Sequence, residues 1–419
     1  MTEVGASRGP VARGSVARVG TATALTALCG YAVIYLAARD LAPTGFSVFG
    51  VFWGAFGLVT GAANGLLQET TREVRSTQYI DALDAVPGSR THPLRVAAMV
   101  GVAAAVVIAG SSPLWSGRVF VEARWLSVGL LSVGLAGFCL HATLLGMLAG
   151  TDHWTQYGAL MVTDAVIRVA VAAATFVIGW GLTGFLWATV AGATAWLIML
   201  VASPTARAAA RLLTPGGIAT FLRGAAHSIT AAGASAILVM GFPVLLKLTS
   251  TQLGAQGGVI ILAVTLTRAP LLVPLTAMQG NLIAHFVDER SDRLRALIAP
   301  AAIIAGIGAV GVLAAGVVGP WLLRVAFGAQ YQASSALLAW LTGAAVAIAM
   351  LTLTGAATVA GALHRAYSLG WVGATVVSGL LLLLPLPLQT RTVVGLLCGP
   401  LVGIGVHLLA LARAGRLTG

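Results

Sequence analysis

The chain has 419 residues, of which 58% are hydrophobic and 9% charged, with a mean hydropathy of +0.95. A soluble domain of this size sits near about 25% charged, so the solvent of this chain is largely lipid and no water-soluble domain of its own is expected. Lys+Arg 24 against Asp+Glu 12 gives +12, and every cation but Lys247 is an arginine. No basic stripe with interleaved aromatics accompanies that excess, which sets nucleic acid aside.

The three cysteines, Cys29, Cys139 and Cys398, lie in apolar runs and form no CxxC or Cys/His pair. Neither a zinc site nor a disulfide framework is expected. His141, His227, His364 and His407 are scattered, with no two at metal-ligand spacing. They read as single satisfied or interfacial histidines, so no metal and no cofactor are expected. At the N-terminus Arg8, Arg13 and Arg18 precede an apolar run ending near Ala37-Ala38. That resembles a signal peptide, but the run is long for one and many spans follow, so it reads as a retained first span.

Windows of roughly 20 apolar residues place twelve spans. The first six run near 16–38, 46–67, 94–113, 125–148, 158–180 and 182–203; the second six near 228–248, 258–287, 297–319, 332–359, 366–386 and 390–412. The last two are separated only by the break at Pro385 and Pro387. With the N-terminus inside, sixteen cations fall in cytoplasmic segments, six in external ones, and Arg168 and Arg268 within spans. That bias fits the positive-inside rule and puts both termini in the cytoplasm of a plasma-membrane protein. Trp115, Trp125, Trp154, Trp180, Trp321 and Trp371 fall near span ends, where amphipathic rings favour the interface.

The longest interruption, near 203–227, carries Arg207, Arg211 and the breaker Pro215-Gly216-Gly217. It reads as an interfacial cytoplasmic linker. The expected organisation is a tail at 1–15, a six-helix bundle at 16–203, the linker at 204–227, a second six-helix bundle at 228–412, and a tail at 413–419. The halves look like a diverged repeat: Ala62-Ala63-Asn64-Gly65-Leu66-Leu67 in span two answers Ala277-Met278-Gln279-Gly280-Asn281-Leu282 in span eight. An even number of spans per half makes the repeats parallel. The fold class expected is therefore an all-α polytopic membrane protein, with about twelve helices in two parallel six-helix bundles around a central cavity.

Span eight, within 259–288, holds Arg268 in an apolar run, followed by Pro270, Pro274, Gln279 and Asn281. An arginine at membrane depth costs about 2.5–3.5 kcal/mol on insertion scales, and prolines there free backbone carbonyls. The less costly arrangement turns Arg268 into a wet central cavity, making this span one wall of a translocation pathway. Span five holds Asp164 and Arg168 at i, i+4, on one helix face. The pair reads either as self-neutralising packing or as Arg168 facing the same cavity with Asp164 as partner or proton site. Gly57, Gly61 and Gly65 line one face of span two, where small residues admit a close helix. Gln68, Glu69, Arg72 and Glu73 follow near the cytoplasmic mouth, as a paired cluster or as a gate.

Three stretches carry a resemblance. Residues 36–74 show Arg39, Leu41, Pro43 and Phe46 in an R-x-L-x-P-x-x-F turn before a glycine-rich helix; span eight carries R-x-P at Arg268; and Gly328 and Tyr331 form G-x-x-Y ahead of span ten. Together these resemble the multidrug/oligosaccharidyl-lipid/polysaccharide (MOP) exporter superfamily in its polysaccharide flippase, Wzx-like, branch. Thr44 stands where that pattern usually has an acid. The resemblance implies a non-enzymatic flippase moving a polyprenyl-(pyro)phosphate-linked oligosaccharide for cell-envelope polysaccharide synthesis, by alternating access. Arg268 and Arg168 would bind phosphates through forked hydrogen bonds. Asn64, Gln68, Gln279 and Asn281 would meet sugar hydroxyls. Membrane lipids and envelope glycosyltransferases or a polymerase are the partners implied. The rival expectations are a drug/cation antiporter of the same superfamily, which would want an anionic cavity, a polyprenyl-sugar-dependent glycosyltransferase using Asp40, and a non-transporting envelope scaffold.

Overall fold

The computed structural model describes residues 13–80, 90–288 and 293–418. Arg8 and Arg290, counted above among the cytoplasmic cations, lie outside the described residues, as do the side chains of Gln279 and Asn281. Lipid offers backbone amides no partner, so apolar runs of this length satisfy them internally as helices. The first half comprises α1 (Arg13–Asp40), α2 (Pro43–Ile80), α3 (Pro93–Val119), α4 (Arg124–Gly150), α5 (Trp154–Ile178), α6 (Gly181–Ala191) and α7 (Ala195–Ala202), the last two joined by a 3-10 turn. Then come α8 (Pro204–Ala210), α9 (Ile218–Val239), α10 (Phe242–Leu248), α11 (Gly254–Asp288), α12 (Arg293–Ala296), α13 (Ile298–Val317), α14 (Gly319–Phe327), α15 (Ser335–Ala360), α16 (His364–Leu381) and α17 (Leu388–Thr418).

Every expected span coincides with a helix or a broken helix. Among the described residues ten helices are long and apolar enough to cross a membrane, and the bent pair α9–α10 makes an eleventh. Helix α16, with 18 residues, is the short twelfth. The chain is a multi-pass membrane protein.

The two halves repeat their internal packing. Helix α2 lies on α4 as α11 lies on α15, and α3 lies on α4 as α13 lies on α15. The seams between the halves do not repeat. A strict two-fold would make the α2–α9 contact equal to the α11–α1 contact. Instead α2 and α9 pack along their length, while α1 and α11 touch only slightly. Helix α9 also leans more on α2 than on α16 of its own half.

The glycine face of α2 explains the closed seam. A Cβ on Gly61 would sit 2.7 Å from the Cβ of Ala236, and one on Gly57 would sit 3.2 Å from that of Met240. At Gly65 the α9 backbone itself comes too near for any side chain. The stripe extends beyond the sequence reading to Gly54, against Pro243, and to Gly50, against Ile261 of α11.

Where the linker runs, two short strands, β1 (Arg90–Thr91) and β2 (Thr214–Pro215), pair antiparallel with Thr91 opposite Thr214. The Thr91 hydroxyl also donates to the Gly216 carbonyl at 2.8 Å. The linker is thus sewn to the connection between spans two and three.

At the opposite, far end the halves are sealed. Phe46 and Phe49 of α2, Ile260 to Val264 of α11, and Leu323, Phe327 and Tyr331 share one buried cluster. Tyr331 donates to the Leu41 carbonyl at 3.0 Å and meets Phe46 edge-on at 6.1 Å between ring centroids. Burial holds this hydroxyl well above the usual phenol range, so it stays a donor. Two of the three motifs noted in the sequence therefore touch each other. Toward the end bearing the termini one face of α11 is uncovered: Pro270, Pro274 and Thr276 are exposed, while Leu271, Leu275 and Phe286 stay buried.

Candidate substrate site

Among the described residues one span is a bent pair of helices, and it is span seven. Helix α11 continues through Pro270 and Pro274, whereas α9 and α10 meet at 67°. The sequence Gly241-Phe242-Pro243 accounts for it. In an unbroken helix the amide of residue 243 would bond the Val239 carbonyl, and proline has no amide to give. The Gly241 amide reaches back to the Ala236 carbonyl at 2.9 Å, ending α9. The carbonyls of Leu238 and Val239 are left without helical donors.

Arg268 supplies the missing donor. Its Nη1 bonds the Val239 carbonyl at 2.9 Å and, more weakly, the Leu238 carbonyl at 3.4 Å. The guanidinium lies over the Phe242 ring, 5.4 Å from its centroid, at cation–π range. It is 8% exposed, and its Nη2 is buried with no hydrogen-bond partner. At 1.5 Å per residue, Arg268 sits about 21 Å along α11. Tyr31 of α1 packs against the buried cluster that includes Phe242, beside the slight α1–α11 seam. Arg268 therefore faces neither the acyl chains nor an open chamber: it is packed where α1, α11 and the α9–α10 elbow converge.

Arg168 has different surroundings. Its Nη2 pairs with Asp164 at 2.9 Å, Nη1 bonds the Thr189 carbonyl of α6, and the group lies 5.3 Å from the Phe56 centroid. The side chains are 13% and 14% exposed, and Gly192 leaves the space they fill. The two arginines of the sequence reading share no partner. Arg168 is neutralised within the first bundle, while no carboxylate pairs with Arg268 among the described residues.

Asn64 is half-buried on α2 and Gln68 is exposed one turn further on. Arg72 pairs with Glu69 at 2.6 Å and with Glu73 at 2.5 Å. Glu69 is buried against Gly224 of α9, which places this cluster on the closed seam. His407 is satisfied within the second bundle, with Thr354 at 3.0 Å and the Tyr367 carbonyl at 3.3 Å. Two cavities of about 310 and 430 Å³ lie away from these groups, one among α3, α4 and the α6–α7 span, the other between α15 and α17.

Sequence reasoning found Arg268 from its charge but missed the elbow carbonyls, Phe242 and Tyr31. Pro243 was the visible signal. It named the span that breaks, though not the side chain that repairs the break.

Among the described residues, ten spanning helices, the bent α9–α10 pair and the short α16 make up a fold shared with solved membrane proteins. The chain matches an inward-facing multidrug resistance MATE family transporter of the MOP superfamily at TM-score 0.72, with 17% identity over 94% of this chain and 96% of that one. An outward-facing structure of a transporter of that family gives TM-score 0.67, with 16% identity over 96% of each chain. A third, from Pyrococcus furiosus, is a MOP superfamily transporter described as having a binding pocket of reverse polarity; it gives TM-score 0.62 and 13% identity over 96% of each chain. No protein-family model matches the sequence. The chain is 84% identical over 409 residues to the uncharacterized protein Rv3630 of Mycobacterium tuberculosis, covering 98% of this chain and 94% of that one. It is 76% identical over 416 residues to the uncharacterized protein Rv1510 of the same organism, covering 99% and 96%. The chain belongs to the family of these mycobacterial proteins.

Proposed function

We propose that this protein is a flippase that carries a polyprenyl-(pyro)phosphate-linked oligosaccharide across the cytoplasmic membrane by alternating access. One observation carries the reading: a buried guanidinium at the meeting point of the halves has one nitrogen unpartnered and, among the described residues, no carboxylate to neutralise it. A buried unpaired charge costs several kcal/mol. An anion entering between α1 and α11 offsets that cost, and Nη2 is ready to donate to it. A phosphate headgroup on a lipid carrier fits both the charge and the membrane depth, because the polyprenyl tail stays in lipid while the sugar follows the polar path.

The rival reading, a cation antiporter, draws support from the multidrug transporters that share the fold. Two features count against it. Arg268 would repel a cationic substrate, and the intramembrane carboxylate Asp164 is already taken by Arg168. The arginine distribution supports cytoplasmic termini, so the sealed far end would face outward and the substrate would enter from the cytoplasm. Glycosyltransferases that build the glycan and a polymerase that consumes it are the partners this reading calls for.

The test is reconstitution in vesicles with a labelled lipid-linked oligosaccharide, scored by exposure of the sugar to an enzyme outside. Wild type should expose it, Arg268→Ala should lose at least about tenfold in rate, equivalent to about 1.4 kcal/mol, and Arg268→Lys should recover part of the loss. Equal rates for wild type and Arg268→Ala would remove Arg268 from the mechanism.

A further inference from the structure

The position of Arg268 has a second consequence, resting on the reading of its free nitrogen as an anion site. We infer that Arg268 is a positioning residue for the α9–α10 elbow, and that anion binding at the guanidinium releases this elbow. The bent form owes its capped carbonyls to Nη1 of Arg268, because Pro243 withholds the amide that Val239 would otherwise receive. Straightening returns the Leu238 carbonyl to the Phe242 amide four residues on, so only Val239 then depends on an outside donor. The guanidinium thus stabilises the bent form over the straight one.

A forked phosphate contact uses two parallel N–H groups of one guanidinium edge. In this structure Nη1 is committed to the elbow and Nη2 is free. Nη1 carries two N–H groups, shared between the Val239 and Leu238 carbonyls, so turning the Nη1–Nη2 edge to a phosphate takes one of them off the elbow. The anion then competes with the elbow for the same donor, and ligand binding shifts the balance toward a straighter span seven. The moving part is already loosely held by its own half: α9 lies mainly on α2 and only partly on α16. Straightening carries α9 back toward α16 and opens the glycine seam with α2. Arg268 would in this way sense the headgroup and relay its presence to the bent seventh span.

The experiment uses the full chain in lipid nanodiscs, with Cys29, Cys139 and Cys398 replaced and spin labels at Ala226 of α9 and Arg365 of α16, both exposed and both near the termini-bearing end. Ala226 lies 13 residues before Val239, the last residue of α9, about 20 Å from the elbow, so about 15° of straightening moves the label by about 5 Å. Polyprenyl pyrophosphate is the probe, with the matching polyprenol as control. The pyrophosphate should shorten the α9–α16 distance by about 5 Å or more on this lever, and the polyprenol should leave it unchanged. Pro243→Ala, which restores the amide, should give the short distance without any probe and should still bind the probe. A wild-type protein that binds the pyrophosphate with no change in distance overturns the inference while leaving the anion site standing. So does a Pro243→Ala protein that keeps the long distance. If Pro243→Ala shortens the distance but the pyrophosphate neither binds nor moves wild type, the anion reading fails, and ligand release of the elbow fails with it.

Discussion

Two arginines at membrane depth meet their charge in opposite ways. Arg168 is paired on its own helix and bonded across to α6, so its charge is balanced before any ligand arrives. Replacing it by alanine leaves Asp164 inside the first bundle without a counter-charge. We expect Arg168→Ala to destabilise the protein by about 3–5 kcal/mol, scaled down for the slight exposure of the pair. Asp164→Asn combined with Arg168→Gln should cost much less. Thermal unfolding of the purified variants in detergent checks this, and a transport defect confined to the single variants would follow the stability loss. Both charges were legible in the sequence because an arginine in an apolar run stands out. Their partners were legible to different degrees. Asp164 lies four residues from Arg168, within the reach of helix periodicity. The acceptors of Arg268 are main-chain carbonyls 29 and 30 residues away, and a carbonyl has no letter of its own.

Among the elements, the same distinction recurs. The glycine stripe of α2 announced that a helix comes close, and one does. Small residues admit any neighbour, so the stripe could not say that the neighbour is α9 of the other half. Helix α11 runs on through Pro270 and Pro274, while Gly241-Phe242-Pro243 breaks span seven. A single missing amide is tolerated in a helix when its neighbours hold; in span seven the Gly241 amide also leaves its usual partner, and the helix stops. The far-end seal joins two stretches nearly three hundred residues apart in sequence, Leu41 with Phe46 and Tyr331. Tyr331→Phe removes the hydroxyl and keeps the ring packing. The loss of about 0.5–1.5 kcal/mol should raise the fraction open at the far end by about two- to tenfold. Single-molecule energy transfer between labels placed either side of that seal measures it, and an unchanged distribution would mean that the aromatic packing alone holds the end shut.

For the molecule as a whole, the departure from two-fold symmetry is the informative quantity. One seam between the halves, α2 with α9, is closed along its length, and the other, α1 with α11, is barely made. If transport needs α9 to leave α2, a covalent bond across that seam must stop it. A Cβ built on Gly233 lies 3.4 Å from the Cβ of Ala62, close to the spacing of about 3.5–4.5 Å found in disulfides. In a background lacking the native cysteines, Ala62→Cys with Gly233→Cys should form the bond on oxidation, abolish transport, and regain it on reduction. Transport that continues with the bond intact would show that this seam never opens. The count and order of the spans were readable from hydropathy, since lipid imposes one length on every crossing. Which seam is open depends on small differences among contacts that hydropathy does not encode.

The strand pair at Thr91 and Thr214 bears on how force travels. Chain that leaves at Thr91 passes through α3 to α8 and comes back to the same spot, so those helices form a loop with a buckled base. Only Gly216 and Gly217 separate β2 from the first turn of α9. There is almost no slack in that short lead. Any tilt of the first half tugs directly on the base of the broken span, and lengthening the lead by a few glycines would uncouple the two before touching either the lipid-facing surface or the arginine.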